Sequence, residues 1–79
     1  MELIGWLIFD GGCYWVCNEK EGWVCPFGVG DSAEVQVGGQ WQAVTMHSGR
    51  YGGWYLRFAD GRWLRPALCM QVRVARCGG

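Results

Sequence analysis

The sequence has no apolar run long enough to cross a bilayer. Its longest, Leu3-Ile4-Gly5-Trp6-Leu7-Ile8-Phe9, falls well short of the roughly 20 residues a spanning helix needs. Glu2 precedes that run where a secretory signal would carry basic residues, and no small-residue cleavage site follows. A cytoplasmic protein that does not enter membranes is therefore expected. Proline is scarce, at 2 residues, and no stretch repeats apolar residues at i, i+3, i+4 and i+7 long enough to make a helix. With no helix to open, Gly11-Gly12 and Gly38-Gly39 read as turns and not as phosphate loops.

Catalytic groups are equally thin. The single histidine, His47, adjoins Ser48, but neighbours on a strand point to opposite faces and make no nucleophile–base pair. The N-terminal acids read as solvated turn and strand-exterior residues. An enzyme is not expected. The 5 cysteines include no C-x₂-C pair. Cys13 and Cys17 sit four apart on an expected strand, so their Cα atoms lie about 13 Å apart. That is too far to share a zinc ion or to bridge each other. An odd count in a cytoplasmic chain suits reduced, buried thiols, although Cys25, Cys69 and Cys77 are free to meet in space. Neither a metal nor a cofactor is expected.

What is abundant is glycine, at 14 residues, and aromatics, with 6 Trp, 3 Tyr and 3 Phe in a chain of 79. So short a chain makes one domain, taken as residues 1–77 with Gly78-Gly79 as a tail. Aromatic bulk can supply much of a small core. Short β-branched and aromatic runs punctuated by glycine mark an all-β chain. Leu3–Phe9 and Cys13–Cys17 read as strands around Asp10-Gly11-Gly12, Asn18–Gly22 as a polar loop, and Trp23–Asp31 as an irregular arm. Ser32–Val37 alternates Ala33, Val35 and Val37 with Glu34 and Gln36, as a strand with one wet face does. Keeping the faces unmixed calls for a three-residue loop, Gly38-Gly39-Gln40, pairing Val37 with Trp41 and Val35 with Ala43. Gly49–Gly53 is a further loop.

Trp54–Ala59, Asp60-Gly61 and Arg62–Arg65 read as a hairpin with a two-residue turn, pairing Phe58 with Trp63 and Arg57 with Leu64. One face then carries Trp54, Leu56, Phe58 and Trp63 as core, and the other Tyr55, Arg57, Arg62 and Leu64. Pro66-Ala67-Leu68 reads as a 3₁₀ turn and Met70–Val74 as the last strand. The expected fold is a small SH3-like barrel of five to six short antiparallel strands with a 3₁₀ turn before the last.

The formal charge is zero, but residues 1–40 hold Glu2, Asp10, Glu19, Glu21, Asp31 and Glu34 against Lys20. Residues 41–79 hold Arg50, Arg57, Arg62, Arg65, Arg73 and Arg76 against Asp60. Two readings follow: the halves pair within the barrel, or one side stays acidic and the other basic, suited to an anionic partner or to self-association. Arg50, Tyr51, Tyr55, Arg57, Arg62 and Arg65 form the candidate binding surface. Arginine clamps phosphate bidentately and tyrosine stacks on bases. The alternative is that the tyrosines cover the barrel and the arginines are ordinary exterior charges. An apolar first strand also favours a homo-oligomer.

Gly30-Asp31, Glu34-Val35, Gly39-Gln40-Trp41, Gly53-Trp54-Tyr55-Leu56, Leu64, Leu68 and Val72-Arg73-Val74 resemble the pattern of a family of small, uncharacterised SH3-like bacterial domains, also met in phages and mobile elements. The resemblance covers about two-thirds of the chain, residues 28–75, and leaves out the cysteine-rich first third. It implies the fold and no established activity. A phage setting implies an antagonist of host defence that binds a host protein. The arginine and aromatic residues themselves point to the other reading, sequestration of an anionic, nucleotide-like ligand or binding of nucleic acid.

Overall fold

The computed structural model describes residues 2–50 and 52–75, and every regular element among them is a strand. No helix among them is long and apolar enough to cross a membrane. Strands β1 (Leu3–Asp10) and β2 (Cys13–Asn18) form a hairpin about Gly11-Gly12, with Leu7 opposite Val16. Leu7 and Val16 are wholly buried, as the alternation of the first strand requires. Asn18, expected in a solvated loop, closes β2 and is buried. Its Nδ2 donates to the Ile4 carbonyl (2.9 Å) and its Oδ1 accepts the Glu21 N–H (2.9 Å). The side chain thus ties the following turn back to β1 and leaves neither amide atom unsatisfied.

The expected irregular arm begins instead as a strand, β3 (Trp23–Pro26), paired to β2 with Val16 opposite Cys25. Its alternation is hidden in sequence by Pro26, which the fold tolerates at the strand's last position. Trp23 and Cys25 turn inward, and Phe27 beyond them is buried. Strands β4 (Ser32–Val37), β5 (Gln40–Ser48), β6 (Trp54–Phe58), β7 (Trp63–Leu64) and β8 (Gln71–Val74) complete one antiparallel sheet in the order β3-β2-β1-β8-β4-β5-β6-β7. Among the described residues eight strands replace the expected five or six. No 3₁₀ turn precedes the last strand. Ala67–Met70 form a turn closed by the Met70 N–H on the Ala67 carbonyl (3.2 Å), with Cys69 at φ 67°. Leu7 of β1 bonds Cys69 N and Met70 O on either side, and this pairing holds the turn against β1.

The sheet rolls over on itself. Tyr14 of β2 and Trp54 of β6 lie five places apart in the strand order, about 24 Å in a flat sheet. Their ring centroids are 5.6 Å apart. Inside the roll, one cluster joins Leu7, Val16, Val35, Val72, Met46 and Leu56 from both halves of the sheet. Each such side chain contributes about 1.5–3 kcal/mol of transfer free energy. The roll is not closed by pairing between its end strands β3 and β7, so the expected closed barrel gives way to a curled open sheet.

Both central hairpins differ from the expected register by one residue, in opposite senses. At Gly38-Gly39 the loop has two residues: Val37 pairs with Gln40, Val35 with Gln42 and Gln36 with Trp41. Both glycines have positive φ (59° and 79°), the requirement of the tight primed turn. At Asp60 the loop has three residues. Phe58 N–H donates to the Arg62 carbonyl (2.8 Å), Gly61 at φ 93° donates to Phe58 (3.1 Å), and Trp63 pairs with Arg57. The expected pairings treated Trp41 and Trp63 as core, and a one-residue slip reverses every side chain. In the fold, the inward positions of β5 belong to Val44 and Met46, and Leu64 takes the inward place in β7. Trp41 lies outside, beneath the Arg73 guanidinium at 4.7 Å.

Arg73 Nε also donates to Glu34 Oε1 (2.9 Å) and lies 3.1 Å from Glu2 Oε2. The hydrogen bond from Arg73 holds the Glu34 carboxyl below its ordinary value, against a lesser upward push from burial. A carboxyl depressed in the folded state stabilises above its unfolded pKa and ceases to do so as pH falls through the folded value. Glu34→Gln should therefore melt below the wild type at pH 7. The gap between the two thermal midpoints should close as melts are repeated down to pH 3, and a gap constant with pH would contradict the pairing.

Candidate functional site

Because Leu56 and Phe58 of β6 point inward, Tyr55 and Arg57 must point out. The three-residue loop at Asp60 puts Trp63 beside them, 64% exposed. The Gly49–Gly53 loop, closed by the Gly49 N–H on the Gly53 carbonyl, brings Arg50 to the same side. Together with Trp54 and Arg65 these residues line a cleft of about 520 Å³. The Tyr55 and Trp63 rings meet edge to face with centroids 6.2 Å apart, and His47 stacks on Tyr55 at 5.5 Å with planes 19° apart.

Among the described residues no carboxylate lines this cleft. Arg50, Arg57 and Arg65 have no acidic partner among the described residues. The nearest acid along the chain, Asp60, is committed elsewhere. It accepts the Arg62 backbone N–H (3.0 Å) and the Arg62 Nε (2.7 Å), and these bonds, the backbone one first, hold its carboxyl below the ordinary value. Three cations therefore face a half-enclosed space with two aromatic rings, an arrangement that can hold a phosphate bidentately and a planar ring by stacking.

Four of the six residues expected at the binding surface, Arg50, Tyr55, Arg57 and Arg65, converge on this cleft. Arg62 does not. Its guanidinium lies over the Phe58 ring at 4.8 Å, pairs with Asp60 and donates to Gln42 Oε1 (3.1 Å). Tyr51 lies outside the described residues. Trp63 lines the site and was expected as core, whereas Trp54 borders the cleft and packs against the core as expected. The signal for Trp63 was local: glycine at the third place of Ala59-Asp60-Gly61 suits a three-residue hairpin loop, which would have turned the tryptophan outward.

A second surface lies on the outer side of β1–β3. There Ile4, Trp6 and Val24 are exposed, Trp6 to 41% and Val24 to 56%, with Trp15, Cys17 and Pro26 beside them in the ladder. Cys13, Cys17 and Cys69 carry free thiols, and Cys25 is buried in β3. Cys25 and Cys69 stand on opposite flanks of the β1–β2 pair, and Cys77 lies outside the described residues. No group of three or more His, Cys, Asp or Glu side chains among the described residues could hold a metal ion.

No curated protein and no solved structure matches the chain. The family match begins before Cys13 and so takes in the cysteine-rich first third, which the sequence pattern had left aside. The chain belongs to the family of the domain of unknown function DUF5348, whose model matches residues 7–74.

Proposed function

We propose that this protein is a non-catalytic binding module of SH3-like type whose cleft takes a phosphate-bearing ligand with a planar ring, such as a nucleotide. The observation that carries this reading is the convergence of Arg50, Arg57 and Arg65, without acidic partners, on Tyr55 and Trp63. Guanidinium forks suit phosphate oxygens, and the cleft volume falls in the range of small-ligand sites. The rolled antiparallel sheet around a single core supports the SH3-like assignment. Among the described residues the cleft lining holds no carboxylate, imidazole or thiol, which supports binding without turnover.

Calorimetric titration with nucleoside mono-, di- and triphosphates tests this. Saturable binding is expected at about 50 mM salt, weakening as salt rises because contacts to phosphate release counterions. An Arg50→Glu, Arg65→Glu double variant should lose at least about tenfold in affinity, on the scale of two charge-assisted bonds. No heat from any nucleotide would overturn the reading. The apolar outer surface at Ile4, Trp6 and Val24 favours a second reading, a protein partner or a further copy of this chain, and that flat result would transfer the binding role to it.

A further inference from the structure

We infer that the cleft is one end of a groove that binds single-stranded nucleic acid, with successive bases placed against Trp63, Tyr55 and His47; this rests on the nucleotide-binding reading above. The observation is that the cleft does not stop at β6. A second hollow of about 190 Å³ opens on the same outer face and is lined by Thr45, His47 and Ser32, and Arg57 borders both. The register explains the continuity. Ser32, Thr45, Arg57 and Trp63 are cross-strand partners in one row over β4, β5, β6 and β7, and His47 and Tyr55 are partners in the next.

Each of three neighbouring strands thus contributes one outward aromatic ring, with centroid spacings of 5.5 and 6.2 Å. A mononucleotide needs one ring and one cation. A row of rings across a sheet, flanked by arginines, is the form of a strand-binding surface, because every base offers a π-face and every step carries a phosphate. The Ser32 and Thr45 hydroxyls, 3.2 Å apart, add donors and acceptors at the far end of the row. Among the described residues no carboxylate lines either hollow, so the path is electrostatically open to a polyanion although the whole chain is formally neutral.

The test is calorimetric titration of the wild-type protein with oligothymidylates of one to six nucleotides. Affinity should rise about 5-fold or more at the second and again at the third nucleotide, then level off, as base–aromatic stacking predicts. For the trinucleotide, raising salt from about 50 to 200 mM should cost roughly 20-fold, the slope for three phosphates on a single strand. His47→Ala should remove the last step of the rise. A hairpin duplex, whose stem stays paired, should bind far more weakly, since its ring faces are already stacked. Affinity independent of length, or a duplex bound as tightly as the strand, would overturn the groove and leave the nucleotide site standing. Absence of binding at every length, with nucleotides also silent, would overturn both.

Discussion

Replacing Gly5 by alanine should lower the thermal midpoint by roughly 10–20 °C, the shift that about 2–3 kcal/mol produces in a domain of this size. Gly5 is buried in the middle of β1 on its inward side. A Cβ built there would stand 2.6 Å from the Cys17 carbonyl oxygen and 2.7 Å from Cη2 of Trp23. The Trp23 ring could swing away, but the Cys17 carbonyl belongs to the backbone of β2 and can move only if the β1–β2 pairing moves with it. Overpacking of this kind costs about 1–3 kcal/mol. A small domain buries a modest share of its surface and has little stability to lose.

The sign of the change is diagnostic. At an open strand position, glycine to alanine stabilises by roughly 0.5–1 kcal/mol, so a raised midpoint would mean that Trp23 does not lie over Gly5. Gly53, where a Cβ meets nothing within 4 Å, supplies the control. Gly53→Ala should change the midpoint by no more than a few degrees. Differential scanning fluorimetry on the three proteins decides the matter.

Trp63→Ala should lower nucleotide affinity by about 5-fold or more, the loss of one base–aromatic stack, and change folding stability by less than about 1 kcal/mol. A tryptophan removed from a core costs about 3–5 kcal/mol, so the stability measurement alone separates the two possible registers of the β6–β7 hairpin. The structure leaves Trp63 64% exposed, with its edge-to-face contact to Tyr55 as its ring partner. Leu56 in the adjacent strand is the counterpart. It is 1% exposed inside the roll, and Leu56→Ala should cost about 2–5 kcal/mol. Denaturant melts of both variants, with calorimetry on Trp63→Ala, give the contrast. A Trp63 variant as unstable as the Leu56 variant would restore the two-residue loop and remove Trp63 from the site.

The alternation of residues was enough to determine the strand class and the course of β1, β2 and β4, because a two-residue period is a local property of a pleated strand. It was also enough to bring Arg50, Tyr55, Arg57 and Arg65 together as one surface, since Tyr55 and Arg57 share a strand face and the others flank it. Local alternation could not choose between adjacent registers. At Gly38-Gly39 and at Asp60-Gly61 each pairing is consistent with its own strand, and the decision rests on which large side chain the opposite wall can enclose. The roll encloses Val44, Met46 and Leu64 there. Trp41 finds its cover outside, under Arg73, whose position depends on β8 being threaded between β1 and β4. Arg62 left the expected surface for the same reason, drawn to Phe58 across the hairpin and to Gln42 of β5. Period and turn chemistry act within a few residues and are written in the sequence. The choice of which tryptophans face solvent is made by contacts between strands far apart in the chain, and only the tertiary structure decided it.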